Sequence, residues 1–588
     1  MQLRTMRRYA LLSTALLCLG TSPLCGQDTD TPAPMPHTMT PTAFDNPDLV
    51  KRYQATITPN ELSAHLYFFA SDFFEGRETA RRGQKLAAHY LAGQYRRMGL
   101  TPKGTVETDN PSAPENYFQP LPLYSNRIKR AGLSVMVDGE QRAASTYAPP
   151  KHDGNMYLAG GSHAEAEGGV VFGGYGIADD DLGYNDATAL QDKGINLSGK
   201  WLLILRDEPM ATDSTSLLPT EDGKPSRWTR QWYYKLRAFF GNRPVGYLIV
   251  GDVGPGGVDV SREATQEAQA ALLGDGNLSL NEGSTGRSFP PVYMISAELA
   301  DKILAPTGRT VAAIQQGINT ALTPDVFEVP GATIQSTIEQ EPFTVYSENV
   351  AAYIEGSDPA LKDEVVVISS HYDHEGMDPS AEGDGIYNGA DDDGSGTVAV
   401  LEMADAFMQA KLDGNGPRRS VLFLNVTGEE KGLLGSRYFT DTEPLAPLEN
   451  IVTNLNIDMI GRFDPTHPGE DNDYVYIIGS NLISQELHDI NMKLNEITGI
   501  DLDLNERFNS KDDPNRFYRR SDHWNFGKHG IPFIFFFTGT HEDYHGVDDE
   551  PHKIEYDRMA RITRLIFATA WQVANQDERP VVSGTGFN

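Results

Sequence analysis

The chain has only two cysteines, Cys18 and Cys25, and both lie near its start. This excludes a disulfide framework or a thiolate metal site in the rest of the protein, so any metal must be held by histidine and carboxylate. Basic side chains are also scarce: 49 lysines and arginines stand against 82 aspartates and glutamates, an excess of 33 negative charges with histidine neutral. Nucleic acid, whose binding depends on basic patches, is a poor partner for such a chain. Most of the carboxylates read as solvated surface that favours solubility. Also missing is any apolar run of the roughly 20 residues that a membrane-spanning helix needs.

What the N-terminus does contain is "MQLRTMRRYALLSTALLCLGTSPLCGQ", with Arg4, Arg7 and Arg8 ahead of a largely apolar run from Tyr9 to Leu19 and small or polar residues after it. Residues 1–27 therefore read as a secretory signal, and the mature protein is expected to be exported, periplasmic or extracellular, and soluble. Cys25 is a candidate lipid attachment point, although Leu24 is bulkier than the residue such a cleavage site normally carries. A Pro/Thr-rich linker occupies residues 28–43.

At 588 residues the chain is too long for one ordinary core. "TPNELSAHLYFFASDFF" offers Thr58 as N-cap, Pro59 at the first helical position and Glu61 to close a capping box, with Leu62, Leu66, Phe69 and Phe73 on one face. "GQKLAAHYLAGQYRRMG" reads as a second helix ending at Gly99. Between about 130 and 330 the texture changes to short apolar runs broken by glycine, which predicts strands and turns with one aromatic-rich helix at "RQWYYKLRAFFG".

From residue 345 onward strands and helices alternate. "EVVVISS", "SVLFLNVT", "IVTNLNID", "DYVYIIGS" and "IPFIFFFTG" read as strands, with helices such as "TVAVLEMADAFMQA" and "SQELHDINMKLNEI" between them. This is the α/β pattern, a mostly parallel mixed sheet covered by helices, whose ligands collect at the carboxyl ends of the strands. His371, Glu429, Glu430 and Asp458 all sit at or just past such ends, and "THEDYH" follows the last strand.

The stretch 369–403 packs two histidines and nine acidic residues between apolar runs. Buried carboxylates must pair, neutralise or bind metal, and histidine with carboxylate is a donor set that suits zinc. Residues 391–402 also match a calcium-loop spacing ending at Glu402, but "EGDGIYNG" cannot supply the entering helix, so Glu402 reads as an ordinary helix residue. His374, His523, His541 and His552 are open to structural or exposed roles, with a place in the site wall for His523 in "RRSDHWNF" and His541 competing with His545. The "FIFFF" run reads as core.

"HYDH", "GADDDGSG", "GEEKGLLGS", "NIDMIGR" and "YHGVDDEPHKI" together resemble, in order, the signature segments of the di-zinc aminopeptidases of peptidase family M28. "FASDFFEGRET" is similar to the family's N-terminal segment, and the middle block resembles the protease-associated domain often inserted in it. With the signal 1–27 and the linker 28–43, the expected segments are an N-terminal peptidase part 44–129, an inserted β-rich domain 130–335 and a catalytic domain 336–575, as the resemblance implies, and a tail 576–588. The resemblance further implies two zinc ions, His371 and Asp458 holding one, Glu430 and His545 the other, and Asp392 bridging. Glu429 would be the general base, Asp373 would accept the second N–H of His371, and Tyr544 would assist at the oxyanion. The peptide joining Asp392 and Asp393 is typically cis in the family. Peptides are the implied substrates. A carboxypeptidase or dipeptidase, for which Arg519 and Arg520 offer a basic pocket, is the alternative within the family. A receptor-like protein without catalysis is a further reading, against which the complete ligand set counts, as it does against a one-zinc glutaminyl cyclase.

Overall fold

The computed structural model describes residues 39–586 apart from 221–222, 274–277, 283–288, 379–380, 382, 468–471 and 511. The signal segment 1–27, both cysteines and most of the linker lie outside the described residues.

Each of the five strands expected after residue 345 forms: Val365–His371, Ser420–Val426, Ile451–Ile457, Tyr474–Ile478 and Phe533–Phe537. Their order in the sheet, from one edge, is Asp503–Asn505, Tyr474–Ile478, Phe533–Phe537, Ile451–Ile457, Val365–His371, Ser420–Val426 and the long strand Val326–Ile354. Val365–His371 runs parallel to both neighbours, and Ile451–Ile457 is parallel to Phe533–Phe537, whereas the pairings of Val326–Ile354 with Ser420–Val426 and of Tyr474–Ile478 with Phe533–Phe537 are antiparallel. The sheet is thus mixed and mostly parallel. Alternation explains the near-continuous apolar runs. Val366, Ile368, Val421 and Phe423 join the core under the helices Arg82–Met98, Gly396–Leu412 and Tyr556–Asn575, while Val365, Val367, Leu422 and Leu424 pack on the opposite face with Phe439 and Phe526.

The helix Pro59–Phe69 starts as its sequence predicts, with the Thr58 hydroxyl accepting from the Glu61 N–H at 3.2 Å. Leu62, Leu66 and Phe69 are buried, but the helix stops at Phe69, so Phe73 falls in a 3₁₀ turn and is 76% exposed. The second helix spans Arg82–Met98 and ends on Gly99 at φ +85°. Glu402 lies within Gly396–Leu412 and faces His65, with 3.3 Å between Nε2 and Oε1.

Residues between Ala131 and Ile338 build a hydrophobic core of their own around Trp201, Tyr247 and Tyr293. Two features depart from expectation. The middle block holds more than the one expected helix: besides Tyr233–Phe240 it has Asp186–Asp192, Arg227–Arg230, Val260–Leu273, Ala297–Leu304 and Val311–Ala321. Its main strands also belong to the same sheet as those of the later block, beside two small two-stranded sheets, Ala178–Asp179 with Tyr184–Asn185 and Met210–Thr212 with Thr215–Ser216. The boundaries expected at 129/130 and 335/336 fall inside the long paired strands Phe118–Val137 and Val326–Ile354, which carry hydrogen bonding from one core into the other.

Candidate metal centre

Parallel register brings the carboxyl ends of four strands to one edge of the sheet. His371 is the last residue of Val365–His371 and Asp458 directly follows Ile451–Ile457. Glu429 and Glu430 lie just beyond Ser420–Val426, and the segment bearing His541, Tyr544 and His545 follows Phe533–Phe537. Asp392 comes from the turn leading into the helix Gly396–Leu412, and its peptide bond to Asp393 is cis.

These side chains converge on the Asp392 carboxylate. Its Oδ1 lies 3.2 Å from His371 Nε2 and its Oδ2 lies 3.1 Å from His545 Nε2, so one carboxylate faces two imidazoles with different oxygens. His371 Nε2 is also 3.6 Å from Asp458 Oδ1, and His545 Nε2 is 3.3 Å from Glu430 Oε2. The buried Nε2 of His371 makes no hydrogen bond despite these close oxygens. A buried imidazole nitrogen left without a hydrogen-bond partner among converging carboxylates is what a metal ligand looks like, and two histidines with three carboxylates form a donor set that fits zinc.

Electrostatics separate the two adjacent glutamates. Burial and the nearby Glu430 and Asp458 push the Glu429 carboxyl well above the usual range, with His371 opposing them. Burial and Asp392 act the same way on Glu430, but His374 and His545 outweigh them and bring it down to about 2. Burial likewise opposes ionisation of Asp392, and His371 and His545 overcome it, holding that carboxyl well below the ordinary value. His371 is pulled down by burial and raised well above its usual value by Asp458 and Asp392.

Glu429 lines a narrow cleft together with Asp392, Asp458, Met459, Phe517, Arg520, Phe535, Phe537, Thr540 and Tyr544. The Tyr544 ring stacks on His545 at 3.9 Å between centroids. Part of the "FIFFF" run therefore serves as cleft wall as well as core.

The Asp373 carboxylate is placed differently from the expectation. His371 Nδ1 has the main-chain carbonyl of Asp373 at 3.2 Å, whereas the Asp373 Oδ1 is 3.9 Å away. The chain turns after the strand, and the carboxylate points instead to the Thr79 hydroxyl, which donates at 2.6 Å, and to the Glu429 N–H, which donates at 3.3 Å. The carbonyl orients the imidazole, and the carboxylate orients the backbone of Glu429.

Three residues of the site carry no role in the sequence reading. His374 is fully buried with Nδ1 2.9 Å from Glu430 Oε1. The Asp549 carboxylate accepts from the N–H groups of Asp391 and Asp392, both within 3.1 Å. Arg77, fully buried, donates to the carbonyls of Tyr372 (3.0 Å), Phe69 (3.3 Å), Asn388 (2.6 Å) and Gly389 (2.8 Å). It thereby ties the residue after His371 to the loop ahead of Asp392. The preceding Gly76 has φ +63°, and a Cβ there would lie 2.0 Å from the Gly376 carbonyl oxygen, which accounts for the glycine in "EGR". The only hints were motif context: "HYDH", "EGR" and "VDDEPH".

Two other histidines fall outside the cluster. His541 Nε2 lies 3.4 Å from Asp391 Oδ2 rather than at Asp392. His523 is not in the cleft wall: it is fully buried, stacks on Phe535 at 4.5 Å, and its Nε2 faces the Tyr518 carbonyl at 3.1 Å. Burial lowers its pKa to about 3. Because that lies below the ordinary value of about 6.5, the unfolded chain takes up the proton first as pH falls. The stability contribution of neutral His523 is complete above about pH 6.5 and is lost toward pH 3, at up to about 1.4 kcal/mol per pH unit. Urea titrations at pH 7 and 5 should show a larger loss for the native chain than for His523→Gln; equal losses would assign the acid sensitivity to other groups.

Comparison with known proteins adds a family match over part of the chain. Residues 349–570 match peptidase family M28. The "Probable zinc metalloprotease" of Pyricularia oryzae is 28% identical over 286 residues, 42% of this chain and 53% of that protein. Aminopeptidase YwaD of Bacillus subtilis is 25% identical over 224 residues, 37% of this chain and 43% of its own. This chain thus spans about half the length of the curated relatives it matches. Among solved structures, an aminopeptidase from Aneurinibacillus sp. strain AM-1 aligns over 91% of this chain and 98% of its own, at 16% identity and a TM-score of 0.46. The match to peptidase family M28 thus covers residues 349–570, the stretch that carries His371, Asp392, Glu429, Glu430, Asp458 and His545.

Proposed function

We propose that the chain is an exported, di-zinc aminopeptidase that removes N-terminal residues from peptides. The observation that carries this reading is the Asp392 carboxylate, with one oxygen toward His371 and the other toward His545. In it, His371 and Asp458 would hold one ion and His545 and Glu430 the other, with Asp392 as a ligand available to both. The zinc donor chemistry of the site agrees with the zinc metalloprotease and aminopeptidase names of its relatives. Bound zinc supplies Lewis acidity and a water of lowered pKa at the scissile carbonyl.

The chain's own groups do the rest. Glu429, on the cleft wall and anchored through its N–H to Asp373, takes a proton from the attacking water and delivers it to the leaving amine. The water oxygen first adds to the scissile carbonyl to give a tetrahedral oxyanion, whose collapse breaks the C–N bond as Glu429 passes the proton to the amine. The Tyr544 hydroxyl, also at the cleft, donates to the oxyanion. The Phe517, Phe535 and Phe537 rings give an apolar wall for a side chain. Export rests on the N-terminal leader, and among the described residues no helix is long and apolar enough to cross a membrane.

The purified protein should contain close to two zinc equivalents, lose peptidase activity to a chelator and regain it with zinc. Free-amine peptides should be cleaved and N-acetylated ones spared. A fully active metal-free preparation would sink the mechanism, and faster cleavage of N-acetylated peptides at their C-termini would transfer the reading to a carboxypeptidase.

A further inference from the structure

Among the described residues, the cleft has one cation on its wall. Arg520 lines it beside Glu429, Asp458 and Tyr544, and its guanidinium donates to the Tyr544 hydroxyl at 3.2 Å and lies over the Phe517 ring at 5.0 Å. Among the described residues Arg520 makes no ion pair, although carboxylates outnumber basic side chains in this chain by 33 and many of its other surface arginines are paired. Its neighbour Arg519 is engaged differently, over the rings of Trp524 and Tyr518, and does not line the cleft. Tyr544 in turn stacks on His545. The free fork of Arg520 is thus two contacts from the candidate metal ligand, held in place by Phe517 and Tyr544 with donors to spare.

We propose that Arg520 is a carboxylate-binding subsite, so that the preferred substrates carry a carboxylate close to the scissile bond. The inference rests on the peptidase reading of the same cleft and names its substrate class. A planar guanidinium matches a carboxylate in two parallel hydrogen bonds, which a lysine at this place would not reproduce. Arg520 is exposed, and the Phe517 ring beneath its guanidinium, with the Tyr544 hydroxyl, orients the fork. Two sources offer this chemistry within reach: the side chain of an N-terminal aspartate or glutamate, and the free C-terminus of a dipeptide.

The zinc-loaded full chain distinguishes them. Glu-4-nitroanilide against Gln-4-nitroanilide reads the side-chain source, and Leu-Leu against Leu-Leu-amide reads the C-terminal one. In at least one pair the carboxylate member should have the higher kcat/KM, by roughly 10-fold to 100-fold, as expected for charge-assisted hydrogen bonds. That ratio should collapse toward one in Arg520→Gln, recover only in part in Arg520→Lys, and persist in Arg519→Gln. No carboxylate preference in either pair, or a preference that survives Arg520→Gln, overturns the subsite. If only N-acetyl-Leu-Leu is hydrolysed, and with an Arg520-dependent preference over its amide, the aminopeptidase reading falls while the subsite stands.

Discussion

Replacing Glu429 by glutamine should lower kcat by at least about 10²-fold to 10⁴-fold, the usual contribution of a general acid–base group, while leaving zinc content near that of the native protein. Glutamine keeps the size and polarity of the side chain, and the Glu429 N–H that Asp373 accepts belongs to the main chain and survives the change. Glu430→Gln should behave differently. Glu430 faces His545 at 3.3 Å and His374 at 2.9 Å, where a neutral amide is a weaker metal donor, so one zinc should be lost or held much more weakly and activity should fall with it. Measuring metal stoichiometry and kcat for both variants decides the assignment. If Glu429→Gln loses metal and Glu430→Gln retains both ions, the two roles are exchanged and the proposed register of the site fails.

The second large effect is expected at Arg77. Arg77→Met removes a fully buried guanidinium and strands the carbonyls of Tyr372, Phe69, Asn388 and Gly389 without their donor. Leaving buried groups unpaired in this way costs on the order of 3–5 kcal/mol of stability. Burial lowers the Arg77 pKa to about 10, with Asp549 and Asp392 opposing that shift, so its positive charge also offsets the cluster of carboxylates behind the site. Arg77→Lys keeps charge but not the fork, and should recover part of the stability. Because Tyr372 follows His371 and Gly389 precedes the Asp391–Asp393 run, weaker zinc retention should accompany the lost stability in Arg77→Met. Urea unfolding with metal analysis tests this; a variant as stable as the native chain with both ions tightly bound would show that the clamp is dispensable.

Much of the catalytic half was legible because its signals are local. Apolar runs such as "EVVVISS" and "SVLFLNVT" need only period and flanking turns to be read as strands, and Thr58 with Glu61 marks a helix start within one turn of chain. Ligand candidates could be located for the same reason, each lying at the end of a strand. Misreadings arose where a neighbour far along the chain decided the outcome. Phe73 shares a helical period with Leu62 and Leu66, yet the chain leaves the helix at Phe69 to carry Arg77 into the core. His523 resembles a site residue by its surroundings in sequence, and is stacked on Phe535 instead.

By itself the sequence determined the α/β alternation, the restriction to histidine and carboxylate donors, and the strand ends from which those donors project, since each follows from residue type and short-range spacing. Only the tertiary structure decided which oxygen of Asp392 faces which histidine, that His371 leans on the carbonyl rather than the carboxylate of Asp373, that Arg77 and Asp549 hold the loop around Asp392, and that two long strands join the middle block to the sheet bearing the site. Those arrangements depend on the parallel register of strands separated by helices in the chain, and on where turns aim side chains a few ångströms apart. No local pattern encodes either, because both are set by packing across the whole core.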